Sequence, residues 1–124
     1  MNPNIHTAPY GAWPSKLSAE DVAAHVRLSQ FCSTESSIFC GEVRPTEGGR
    51  TAIVEFHAGE RIERLSTDWN ARTRVHEYGG GAFAAEGRTI YFSNFQDGRI
   101  YTQDPGSSPR PITPIIKDTQ VGYA

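Results

Sequence analysis

A chain of 124 residues fits one small domain, since domains commonly take about 100–200 residues. Twelve basic residues against fourteen acidic ones give a net charge of -2, which excludes the cationic footprint of a nucleic-acid binder. The first thirty residues carry no continuous apolar run behind a basic start, so neither a secretion signal nor a membrane span is expected and the chain reads as cytoplasmic.

The segment from Asn2 to Ser15 is rich in Pro and Gly and interleaves Tyr10 and Trp13, which predicts an extended arm pinned by its aromatics. Ser18-Ala19-Glu20-Asp21 is a helix start, because the serine hydroxyl accepts from the amide three residues on while Asp21 suits the positive end of the helix dipole. One short helix follows, ending near Arg27.

From Leu28 the hydrophobic period becomes two, and β-branched and aromatic residues gather between glycine-containing breaks. Strands are expected at 28–33, 37–43, 51–57 and 61–65, with Thr46-Glu47-Gly48-Gly49 and Gly59 turning the chain. Phe39 and Val43 are expected to face inward. After a connector from Asp68 to Tyr78 the same events recur at 81–85, 89–95, 99–103 and 110–113, separated by Glu86-Gly87, Asp97-Gly98 and Pro105-Gly106-Ser107-Ser108.

Matching Ser37-Ile38-Phe39-Cys40 to Thr89-Ile90-Tyr91-Phe92 gives a spacing of roughly fifty residues, near the blade repeat of propellers. A shorter register through Gly48, Gly59, Gly87 and Gly98 also describes a meander, but it leaves one unit with a strand too many. The expected fold is mainly β: two four-stranded antiparallel meander sheets resembling partial β-propeller blades, with an N-terminal arm and one short helix. Residues 1–27 form the arm and helix, 28–114 the two blades and 115–124 a C-terminal tail. Two blades cannot close a propeller, so their apolar faces and strand edges call for further polypeptide, a second copy or face-to-face packing.

The densest chemistry lies in Asn70-Ala71-Arg72-Thr73-Arg74-Val75-His76-Glu77-Tyr78-Gly79-Gly80-Gly81. Read functionally, this loop presents Arg74, His76, Glu77 and Tyr78 to a substrate or a domain interface, and the glycines allow close backbone approach. Read structurally, it is a crossover whose polar groups satisfy one another. No G-x-S-x-G elbow exists for a serine nucleophile, and no Lys-Ser/Thr pair follows the glycines to make a phosphate loop. His6, His25, His57 and His76 show no metal-ligand spacing, so neither a metal nor another cofactor is expected. Cys32 and Cys40 read as reduced thiols, and Trp69, Tyr91, Phe92 and Phe95 as core rings.

Four stretches, Thr7 to Ser15, Arg74 to Gly81, Ile90 to Phe95 and Pro109 to Pro114, resemble in order the N-terminal region of acylaminoacyl-peptidase-like and dipeptidyl-peptidase-like members of the prolyl oligopeptidase family of serine peptidases. The resemblance runs from about Thr7 to Pro114. It implies a β-propeller part that caps an α/β-hydrolase domain carrying the Ser-Asp-His triad and filters peptides on their way to it. No triad residue has a matching position in this chain, so the chain alone is expected not to be an enzyme, and its peptide partners would come through the missing hydrolase domain. The competing expectation is a free-standing β-sheet interaction module, self-associating through open sheet edges. A third is a half-built array only marginally folded by itself.

Overall fold

The computed structural model describes residues 7–75, 81–115 and 117. Ser18 caps a single helical turn and a half, α1 (Ala19–Ala24): its hydroxyl accepts from the Asp21 amide at 3.0 Å while Asp21 Oδ2 accepts from the Ser18 amide at 2.9 Å. This reciprocal box satisfies two orphan N–H groups and supports a helix that buries no side chain. The helix stops short of Arg27, at a His25 cap in extended conformation. The preceding arm is not pinned by its tyrosine, for Tyr10 is fully exposed; Trp13 is half-exposed.

Two four-stranded antiparallel sheets follow. The first is the meander β1 (Arg27–Ser33), β2 (Ser37–Arg44), β3 (Arg50–His57) and β4 (Glu60–Glu63); the second is β5 (Phe83–Glu86), β6 (Thr89–Ser93), β7 (Ile100–Gln103) and β8 (Arg110–Pro111). Each sheet keeps its strands in chain order, as hairpin connections dictate. A 3-10 turn, Pro45–Glu47, and two left-handed glycines, Gly48 and Gly49, join β2 to β3.

Period-two alternation sends Phe39 and Ile53 to one face of the first sheet, where they meet Phe83, Ile90, Phe92 and Tyr101 of the second. Leu65 and Ala71 complete this core. Gly41 belongs to the same face, and a β-carbon there would come within 2.4 Å of Ser29 Oγ on the neighbouring strand and 3.4 Å of the Phe83 ring, so the small residue leaves room for the serine hydroxyl. Val43, expected inward, is only partly buried because it lies at the margin of the overlap. Cys32 pairs with Phe39 and Cys40 with Phe31, so the pleat turns the two thiols to opposite faces and both are free.

The two-residue turn between β3 and β4 places both Ala58 (φ 50°) and Gly59 (φ 81°) in the left-handed region, since His57 pairs directly with Glu60. An L side chain costs about 1–2 kcal/mol there. Ala58→Gly is therefore expected to stabilise the fold by about 0.5–1 kcal/mol after allowance for the floppier unfolded chain, read as a higher urea midpoint.

Between the sheets' first strands the joint is a side chain. A bulge between Leu28 and Phe31 frees Gln30 from the β1 register. Its Nε2 donates to the Phe83 carbonyl at 2.5 Å and its Oε1 accepts from the Ala82 amide at 2.8 Å, taking the position a neighbouring strand would take beside β5.

Candidate functional site

Polar order is concentrated in two places, and the first lies inside the stack of sheets. Glu55 projects from β3 toward the second sheet and is wholly buried. Its Oε2 accepts from Arg64 at 3.0 Å and from Arg88 at 3.1 Å, and its Oε1 accepts from Arg88 at 2.7 Å and from the Ser37 hydroxyl at 2.7 Å. Burial by itself pushes the Glu55 carboxyl up; hydrogen bonds from Arg88 and Ser37, with the charges of Arg64 and Arg88, outweigh it and hold the group down to about 2.

Arg64 spans the interface. It donates to the Arg88 carbonyl at 2.8 Å and to the Gln103 carbonyl at 3.3 Å, while Gln103 Nε2 donates back to the Arg64 carbonyl at 2.7 Å. Thr34 adds a bond to the Gly87 carbonyl at 2.8 Å. Bonds that run from one sheet to the turns of the other fix their relative position more narrowly than apolar contact does.

Ser37, Glu55 and His57 stand together, yet they do not form a nucleophilic triad. The hydroxyl donates to the carboxylate, and His57 Nδ1, 3.0 Å from that hydroxyl, also lies 2.9 Å from the Ser36 carbonyl. In a relay the imidazole separates acid from alcohol and takes the alcohol's proton. Here the acid touches the alcohol directly, and Ser37 is buried away from any substrate.

The second place is the connector between the sheets, which is laced to both. Arg50, nearly buried on β3, donates to the Ser66 and Trp69 carbonyls at 3.3 and 3.2 Å and is balanced by Glu47 at 2.6 Å. Asn70 Oδ1 accepts from the Thr51 amide at 3.0 Å, and Ala71 donates to the Thr51 carbonyl at 3.0 Å. On the other side Arg72 donates to the Ser93 carbonyl at 3.0 Å, Phe95 donates to the Asn70 carbonyl at 2.9 Å, and Ala71 bridges Asn94.

Trp69 is thereby seated edge-on against Phe92 and Tyr101, with centroids 5.7 and 4.7 Å away. Tyr101 donates its phenol to Asp97 at 2.5 Å. Immediately beyond, the exposed guanidinium groups of Arg72 and Arg74 lie 4.9 and 4.5 Å from the centre of the Phe95 ring. Of the four loop residues singled out from sequence, Arg74 is therefore placed on Phe95, whereas His76, Glu77 and Tyr78 fall outside the described residues. Phe95 is not a core ring, and Tyr91 is only partly buried; Trp69 and Phe92 do pack the core.

Sequence reasoning did not single out Arg72, Phe95 or Glu55 as members of a site. A mid-strand carboxylate reads as solvent-facing, and the signal that marked Arg72 was its place in the same cationic run as Arg74. Among the described residues no group of His, Cys, Asp and Glu is arranged to hold a metal ion, and no helix is long and apolar enough to cross a membrane.

Over 90% of its length the chain superposes on the structure of a puromycin-hydrolyzing peptidase of Mycobacterium tuberculosis with a TM-score of 0.78 and 44% sequence identity. A crystal structure of puromycin hydrolase matches 91% of the chain with a TM-score of 0.75 and 34% identity. The chain belongs to the prolyl oligopeptidase family. It spans 18% and 19% of the length of those two family members. No family model matches the chain, and no curated protein does. The two stacked meanders and the laced connector are thus the part of the prolyl oligopeptidase family architecture that this chain carries.

Proposed function

We propose that the chain is the non-catalytic, N-terminal propeller portion of a serine peptidase, whose two sheets are successive blades and whose connector borders the route by which peptides reach a hydrolase domain. The observation that carries this reading is 44% identity, held over 90% of the chain, to a puromycin-hydrolyzing peptidase of which that stretch makes up 18%. The outer face of the first sheet supports it. Leu28, Phe31, Ile38 and Phe56 stand side by side there, each between 43% and 62% exposed, as suits a blade that packs against another sheet. In this reading Arg74, His76, Glu77 and Tyr78 face the passage or the hydrolase.

A chimera tests it: the matched stretch of the mycobacterial peptidase is replaced by this chain, and hydrolysis is compared for puromycin and for longer peptides. The expected result is that the chimera hydrolyses puromycin while the purified chain alone does not, and that Arg74→Ala in the chimera changes kcat/KM for long peptides at least threefold with puromycin unaffected. Puromycin hydrolysis by the chain alone, blocked by a serine-directed reagent, overturns the non-catalytic reading. Equal effects of Arg74→Ala on both substrates overturn the filtering role.

A further inference from the structure

We propose that Arg72 and Arg74, held against Phe95 at the end of the second sheet, bind the carboxylate of an acidic peptide. Both guanidinium groups sit within 5 Å of one phenyl centre, at 4.9 and 4.5 Å, which is the range in which a cation is attracted to a ring's π-face. Contact with a ring engages the flat side of a guanidinium and leaves its rim of N–H donors outward. Among the described residues neither rim meets a carboxylate or a carbonyl.

Several arginines of the two sheets are partnered within the fold. Arg44, Arg50, Arg61, Arg64 and Arg88 each meet a glutamate within 3.4 Å, and Arg99 donates to the Thr113 carbonyl. Asp97, two residues beyond Phe95, is already engaged by the Tyr101 phenol, the Asn94 amide group and the Arg99 backbone. Among the described residues, these two exposed cations that share one ring meet no acid.

The backbone beneath them is fixed before any ligand arrives. Arg72 is hydrogen-bonded at its amide to Ser93 and Asn70, and Phe95 to Asn70, so binding need not order the chain at these positions. A carboxylate matches two guanidinium rims by paired N–H···O bonds, and flanking apolar atoms of a peptide find the edge of Phe95. That the anion comes from a peptide rests on the peptidase reading above; that an oxyanion binds here does not.

The test titrates the whole chain with acetyl-Glu-Glu-amide, followed by two-dimensional NMR of backbone amides and arginine Nε–H groups. Expected are saturable shifts at Arg72, Arg74 and Phe95, at least tenfold weaker binding in Arg72→Gln/Arg74→Gln, and several-fold weakening in Phe95→Leu, which keeps both charges. Added salt should weaken the complex. The matching Gln-Gln peptide should produce no shifts at these residues. Absence of saturable shifts with the acidic peptide overturns the site, as does unchanged affinity in the double variant with its thermal midpoint preserved. Inorganic phosphate binding as tightly as the peptide overturns the carboxylate assignment. The measurement reads binding by the chain itself, so an inactive chimera would count against the peptidase reading and leave this result standing.

Discussion

Replacing Glu55 with Ala is expected to cost about 3–5 kcal/mol of folding stability, because it strands a buried guanidinium without its counter-charge. Arg64 is the residue left stranded: its side chain is 3% exposed and has no route to water without parting the sheets. Arg88, one-third exposed, can turn outward and contributes less. A urea titration measures the loss, which is large against the roughly 5–15 kcal/mol that holds a typical domain together. Removing Arg64 together with its acid, as Glu55→Leu/Arg64→Met, should recover only part of it. Arg64 also satisfies the Arg88 and Gln103 carbonyls, and these would be left bare.

The same carboxylate gives the fold a pH signature. Its folded value lies near 2 against an ordinary 4.5, so its contribution is complete above about pH 4.5 and is lost as the pH falls from there toward 2. Glu55→Gln should flatten this acid limb of the stability profile. An unaltered limb would mean that other carboxylates dominate it.

Phe92→Ala is expected to cost about 3–5 kcal/mol as well, through a cavity between the sheets. The ring is 1% exposed, stacks on Tyr101 at 5.8 Å and supports Trp69 edge-on. Its loss frees Trp69, and with Trp69 the connector that carries Arg72 and Arg74. A lower urea midpoint should therefore be accompanied by a red shift of tryptophan emission. Tyr91→Ala, one residue along β6 on the opposite face, should cost less than half as much and leave the emission in place.

Much of this architecture was legible in the order of residues. Alternation in Ser37–Arg44 and Arg50–His57, with glycines at the reversals, specified strands and hairpins because side-chain direction in a strand has period two. The Ser18 capping box was equally local. β8 was not: the expected strand at 110–113 shrinks to Arg110–Pro111, since Pro111 lacks an N–H, although Ile112 still donates to Ile100 and Thr113 Oγ1 still accepts from the Ile100 amide. Nor was the burial of Glu55 and Arg64 visible. Their partners stand nine to thirty-nine residues away in sequence, and a charged residue in a strand is ordinarily solvated until tertiary structure supplies a mate. For the candidate site, composition pointed to the stretch around Arg74, but only the return of the chain past Asn94 brought Phe95 beneath it.

The Gln30 amide also has a bearing on how copies of this protein keep apart. By filling the hydrogen-bonding groups of Phe83 it occupies the berth that an intruding β-segment would need, so recruitment of a foreign strand beside β5 must first evict it. The far margins are guarded by other means: Glu60, Arg61 and Glu63 charge the rim of β4, and Pro111 deprives β8 of a donor. One flexible side chain thus does at the first margin what charge and proline do at the others.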